Sequence, residues 1–160
     1  MDEHISDKAI SYSTHFDQTI NGQVFGDELL LKRAIGNLLE NAKRHTHSKI
    51  QIDVHQSGEK HLKITVADDG SGIPPSEQQL LFSPFSRIDK SRSRAIGGVG
   101  LGLALAELIM RKHGGTASYQ SSELGGAAFV LQWPATVSYT HLRAHETLMN
   151  LVCRLLLEKS

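Results

Sequence analysis

Two short stretches in the middle of the chain alternate apolar and polar residues: Ile50, Ile52 and Val54, then Leu62, Ile64 and Val66. A period of two puts each apolar set on one face of an extended strand, so both segments need one face covered. The segment Gln56-Ser57-Gly58-Glu59-Lys60 between them is short enough for the strands to pair as neighbours. A sheet with one apolar face requires a second layer, and the chain supplies it in a different period. After Gly26-Asp27, residues Leu30, Leu31, Ala34, Ile35, Leu38, Leu39 and Ala42 recur at helical spacing, with Asp27 placed to cap the start. This predicts a helix from residue 28 to residue 44.

The flanks extend the same pattern. Leu101, Leu105, Leu108 and Ile109 predict a further helix that stops at His113-Gly114-Gly115, with strands following near 116–121 and 127–133. Ala9 to Phe25 is polar with scattered β-formers, and Asn21-Gly22 there reads as the turn of a hairpin. The order strands, helix, strands, loop, helix, strands implies an α+β fold: a two-layer sandwich with helices on one face of a mostly antiparallel mixed sheet. At 160 residues and 39% hydrophobic content, one domain is expected, with its core ending near Pro134. Residues 1–8 then form a stub of a preceding linker, 9–135 the domain and 136–160 a tail. That tail is polar from Thr136 and apolar from Leu148 to Leu157, belongs to none of the elements above, and resembles a translated sequencing adapter.

Composition excludes several functions. The 17 basic and 17 acidic side chains cancel, so no general field draws the chain to nucleic acid or an anionic membrane. A single cysteine, Cys153, cannot form an internal disulfide, which suits a reducing compartment. No apolar run approaches the roughly 20 residues of a spanning helix, so the expectation is a cytoplasmic domain. Nine histidines invite a metal reading, but there is no H-E-x-x-H or Cys/His cluster; scattered surface histidines are the simpler account.

Four constellations carry chemistry. Asn37, Asn41, Arg44 and His45 fall on neighbouring turns of the first helix, and two carboxamides on an otherwise apolar face suggest a cleft or, more blandly, a solvated edge. Asp68-Asp69-Gly70-Ser71-Gly72-Ile73 stands where a strand ends. The Asp68 carboxylate can accept from an exocyclic amino group such as adenine carries, while Gly70 and Gly72 let the backbone approach a flat ring; an ordinary glycine turn is the alternative. It lacks the alternating acids and closing glutamate of an EF-hand loop. Gly97-Gly98-Val99-Gly100-Leu101-Gly102-Leu103 leads into a helix, where backbone N–H groups and the helix dipole favour phosphate; a flexible hinge is the alternative. It is neither a dinucleotide fingerprint nor a Walker loop. Between these lies a Ser/Arg-rich loop in which Phe82 and Phe85 are placed to pin the base and Arg87, Lys90, Arg92 and Arg94 to face a triphosphate or simply water.

In this order and spacing, the four resemble the N-, G1-, F- and G2-boxes of histidine kinase catalytic domains, in the GHKL superfamily with the Bergerat ATP-binding fold. The resemblance covers residues 10–134, and Gly98 to Ala104 is similar to the EnvZ/OmpR-type sensor kinases. It implies ATP and Mg²⁺ as ligands. Asn41 is then the magnesium ligand, Arg44 a phosphate contact, His45 a stacking neighbour of the nucleotide and Asp68 the adenine reader. Arg87 offsets phosphate charge beside Asn41, and Gly98, Val99, Gly100, Leu101, Gly102 and Leu103 hold phosphates and anchor a lid.

The resemblance also implies partners. The phosphoacceptor histidine lies on a separate dimerisation domain, for nothing before Asn37 matches its box and His4 and His15 lack the surroundings. A response regulator is reached through that domain, the parent sits in the bacterial inner membrane, and this chain alone is a monomer without autophosphorylation. Val99 replaces a common threonine and His45 a common aromatic residue. Two rivals remain: a non-catalytic ATP-binding module, and an ATPase of the gyrase, Hsp90 or mismatch-repair kind. The latter place a glutamate base where this chain has Asn37.

Overall fold

A computed structural model describes residues 9–17, 26–58, 61–84, 101–134 and Arg154. Among these residues the elements are β1 (Ser11–Phe16), α1 (Glu28–His45), β2 (Lys49–Ser57), β3 (His61–Asp68), α2 (Pro75–Gln78), α3 (Gly102–Lys112), β4 (Thr116–Ser121) and β5 (Ala127–Pro134). The strands form one sheet in the order β1-β2-β3-β5-β4. Three pairings are antiparallel, with Ile52 opposite Val66, Ile64 opposite Leu131 and Tyr119 opposite Phe129.

β1 is the exception, running parallel to β2 with Ser11 opposite Lys49. Parallel neighbours need a crossover, and α1 provides it, making a β-α-β unit. The first strand expected in the 9–25 region is therefore present. The Asn21-Gly22 turn and a second strand there lie outside the described residues.

α1 begins as its sequence requires. The Asp27 carboxylate accepts from the N–H groups of Leu29 at 3.0 Å and Leu30 at 3.1 Å, satisfying two donors that the first helical turn leaves open. Leu31, Ala34, Ile35, Leu38, Leu39 and Ala42 are buried. They face Ile50, Ile52 and Val54 of β2, Leu62, Ile64 and Val66 of β3, and Phe129, Leu131 and Trp133 of β5 in a single core. Each large aliphatic or aromatic side chain buried here contributes about 1.5–3 kcal/mol.

α3 presents a different stripe from the one its leucines suggest. Leu101 and Leu108 are 39% and 52% exposed, whereas Ala106, Ile109 and Met110 are buried. The reason is the close approach of α1 and α3, where small residues permit contact. A Cβ added at Gly102 would meet the Asn37 side chain at 3.8 Å, and Ala106 is fully buried one turn on. α3 ends in a Schellman motif: Gly114 is left-handed at φ 72°, Gly115 N–H donates to Met110 O at 2.7 Å and Gly114 N–H to Arg111 O at 3.1 Å.

His113, at this end of α3, ties the two long helices together. Its Nε2 accepts from the Asp27 N–H at 3.0 Å while Nδ1 lies 2.7 Å from Ile109 O. The pair of contacts fits a neutral ring with its proton on Nδ1.

Candidate functional site

The C-terminal half of α1, the end of β3 and the start of α3 meet at one edge of the sandwich. Asn37, Asn41 and Arg44/His45 are spaced four, seven and eight residues along α1 and so share a stripe; the two asparagines are half-buried, Arg44 and His45 exposed. Asn37 Nδ2 donates to Gly102 O at 3.1 Å, which joins the first constellation to the third. Leu101 stands at the cap of α3 with its carbonyl accepting from Leu105 N–H at 2.8 Å, Gly102 opens the helix and Leu103 packs against the core.

Asp68 closes β3 and is 1% exposed. Its Oδ1 accepts from Gly70 N–H at 2.8 Å and Ala127 N–H at 3.3 Å. Its Oδ2 is buried with no hydrogen-bond partner among the described residues. A buried polar atom left without a partner costs about 1–3 kcal/mol, more when charged, so this oxygen retains the capacity to accept a hydrogen bond.

The backbone around Asp68 is packed too tightly for side chains. A Cβ at Gly70 would stand on the His45 carbonyl oxygen, and one at Gly126 on Asp68 Oδ1 and on Gly70 N. Gly72 takes φ 72°, a conformation open mainly to glycine. Ile73 packs against the core, and its carbonyl accepts from Gln78 Nε2 at 3.1 Å. Pro75 opens the single turn of α2, where the sequence suggests only a turn. Phe82 then rests edge-on against Phe129, ring centres 6.2 Å apart and planes at 82°. Phe85, Arg87, Gly98, Val99 and Gly100 lie outside the described residues.

Sequence reasoning missed two residues of this edge. Asp69, quoted only as the neighbour of Asp68, gathers Thr46 Oγ1 at 2.6 Å and the N–H groups of His47, Ser48 and Lys49 at 2.9, 3.0 and 3.1 Å on Oδ1, with Ser48 Oγ at 2.8 Å on Oδ2. The Thr46 hydroxyl foremost, then the Ser48 and Lys49 N–H groups and the Ser48 hydroxyl, hold its carboxyl well below the usual range against an opposing desolvation. The polar Thr46-His47-Ser48 run between helix and strand was the available signal. Gly126 was the other omission; only its pairing with Gly125 hinted at a close approach.

Residues 26–137 match the family described as "Histidine kinase-, DNA gyrase B-, and HSP90-like ATPase", and the chain belongs to that family. Within it the similarity falls on sensor kinases. The chain is 45% identical over 108 residues to Sensor protein RstB of Escherichia coli (strain K12), covering 68% of this chain and 25% of that protein. Its structure is similar to mycobacterial sensor histidine kinase MprB at TM-score 0.69 and 29% identity, covering 81% and 86% of the two chains. It is also similar to the ATP binding domain of PrrB from Mycobacterium tuberculosis, at TM-score 0.60 and 30% identity over 78% and 81%. The chain spans about a quarter of the length of the curated relatives it matches. No helix among the described residues is long and apolar enough to cross a membrane.

Proposed function

We propose that this chain is the part of a sensor histidine kinase that holds ATP and presents its γ-phosphate to a histidine on a separate dimerisation domain. The observation that carries the reading is Asp68 Oδ2, a buried acceptor without a partner among the described residues. Adenine places an amino donor there; guanine would place a carbonyl against the carboxylate.

The remaining roles follow from position along the same edge. Asn41 offers a neutral oxygen to Mg²⁺, which suits an ion that draws most of its ligands from phosphate oxygens and water. Bound there, Mg²⁺ offsets charge on the phosphates. Arg44 contacts phosphate, His45 stacks beside the nucleotide, Arg87 adds positive charge, and the Gly98–Leu103 segment lines the phosphates. In the transfer, the γ-phosphorus exchanges its bond to the β–γ bridging oxygen for one to an imidazole nitrogen, releasing ADP. This domain contributes positioning and charge.

Asn37 supports transfer to histidine over hydrolysis. Its carboxamide has no basic site to take a proton from water, and its Nδ2 is already engaged with Gly102 O. The parent protein is read as an inner-membrane sensor with this domain in the cytoplasm, signalling to a response regulator through the dimerisation domain. Residues 9–135 form the catalytic domain, 1–8 a linker stub and 136–160 a tail outside the functional unit; the separate domain is a monomer.

The test is incubation with γ-labelled ATP, Mg²⁺ and a matching histidine-bearing dimerisation domain. Label on that domain's histidine is expected. Binding without transfer would leave a regulatory module, and release of free phosphate instead would favour an ATPase.

A further inference from the structure

The two neighbouring aspartates at the end of β3 face different ways. Asp68 leaves one oxygen unpartnered beside Gly70 and Gly126, whereas both oxygens of Asp69 are engaged by residues 46–49. That segment is the link between α1 and β2. Thr46 caps α1, is fully buried, and donates its own N–H to Ala42 O at 2.8 Å. Successive N–H groups of His47, Ser48 and Lys49 converge on Asp69 Oδ1, a backbone nest closed around a carboxylate. The strand-side backbone answers with Asp69 N–H donating to Lys49 O at 3.2 Å. Alongside this clamp, Gly70 is so close to the His45 carbonyl that no Cβ fits between them.

We infer that Asp69 is a positioning residue for nucleotide binding: it fixes the spacing between the purine-reading end at Asp68 and the Asn41–His45 end of α1. This rests on the functional reading above. A ligand that touches only Asp68 and its glycines is indifferent to that spacing. A ligand that spans both ends is not, because the Asp69 bonds decide where the C-terminus of α1 stands relative to β3. The depressed titration of Asp69 agrees, since the carboxylate stays ionised and keeps its donors at every pH where ATP is handled.

The experiment compares affinities for Mg·ATP and for adenosine in the wild-type chain and in Asp69→Ala, Asp69→Asn and Thr46→Val. Calorimetry supplies the affinities and circular dichroism checks that each variant is folded. Adenosine probes the Asp68 end and the stacking at His45, whereas ATP also reaches Asn41 and Arg44 through its phosphates. Asp69→Ala is expected to lose ATP affinity by about tenfold more than adenosine affinity, as a misplaced contact would cause. Thr46→Val should show the same skew more weakly. Asp69→Asn should restore the wild-type ratio to within about twofold, because its Oδ1 still accepts the four donors and its amide can donate to Ser48 Oγ.

A merely structural role lowers both affinities together or only the melting temperature. An unchanged ratio in folded Asp69→Ala overturns the inference. If that variant does not fold, an unchanged ratio in Thr46→Val does so. Wild-type chain that binds neither ligand overturns the functional reading first and this one with it, whereas normal wild-type binding with unskewed variants overturns this one alone.

Discussion

Replacing Asp68 by Asn should move stability and binding in opposite directions. The side chain keeps its shape, and its Oδ1 still accepts from Gly70 N–H at 2.8 Å and Ala127 N–H at 3.3 Å. What changes is the second atom, which in the native chain is a buried carboxylate oxygen with no partner among the described residues. An unpartnered neutral amide is less costly to bury than an unpartnered carboxylate, by about 1–2 kcal/mol. For a domain of this size that is a rise of roughly 3–6 °C in melting temperature of the ligand-free protein. ATP affinity should fall, because the variant's Nδ2 presents a donor to the adenine amino group. Losing a charge-assisted hydrogen bond of about 1.5–3 kcal/mol weakens binding by roughly 10- to 150-fold. Differential scanning fluorimetry with and without Mg·ATP reads both effects in one assay. A variant that melts lower than wild type, yet is still stabilised by ATP to the same extent, would refute the assignment of Asp68 as the purine reader.

Gly126→Ala should unfold more easily by about 1–3 kcal/mol and lose nucleotide binding, since its methyl would stand on Asp68 Oδ1 and the Gly70 amide; urea titration and calorimetry check this. Asp27→Ala removes the cap of α1 and should cost about 1 kcal/mol, read as an earlier urea midpoint with ATP affinity unchanged. The stabilisation from Asp69 should depend on pH in one direction. Its folded carboxyl titrates below the ordinary 3.8, so the contribution is complete above that value and is lost as pH falls below it. The stability gap between wild type and Asp69→Ala should therefore be constant from pH 7 to pH 5 and narrow by pH 3; a gap that widens in acid would contradict the hydrogen-bond network.

Local periodicity and local caps were enough for much of this architecture. α1 announced itself through Asp27 and six buried positions at helical spacing, and β2 and β3 through strict alternation. Asp68 stood out as a carboxylate at a strand end followed by two glycines, a pattern that an ordinary glycine turn also produces. What escaped sequence reading depends on distant partners. The parallel pairing of β1 with β2 is set by where α1 returns the chain, not by anything in Ser11–Phe16. The buried stripe of α3 was misread because leucines outweigh Ala106 by hydrophobicity, while packing against α1 rewards small size. Asp69 differs from Asp68 by nothing in its own neighbourhood; its partners begin at Thr46. Gly126 meets Asp68 only because β5 pairs beside β3, bringing together residues 59 positions apart at Ala127 and Asp68.

The central claim is that the unpartnered oxygen of Asp68 selects adenine in a site that also holds a triphosphate. Calorimetric titration of the wild-type chain with Mg·ATP and Mg·GTP under identical conditions tests it most directly. The account predicts saturable binding of ATP and an affinity for GTP weaker by about tenfold or more, the penalty of setting a carbonyl against a carboxylate. Equal affinities for the two nucleotides would contradict it.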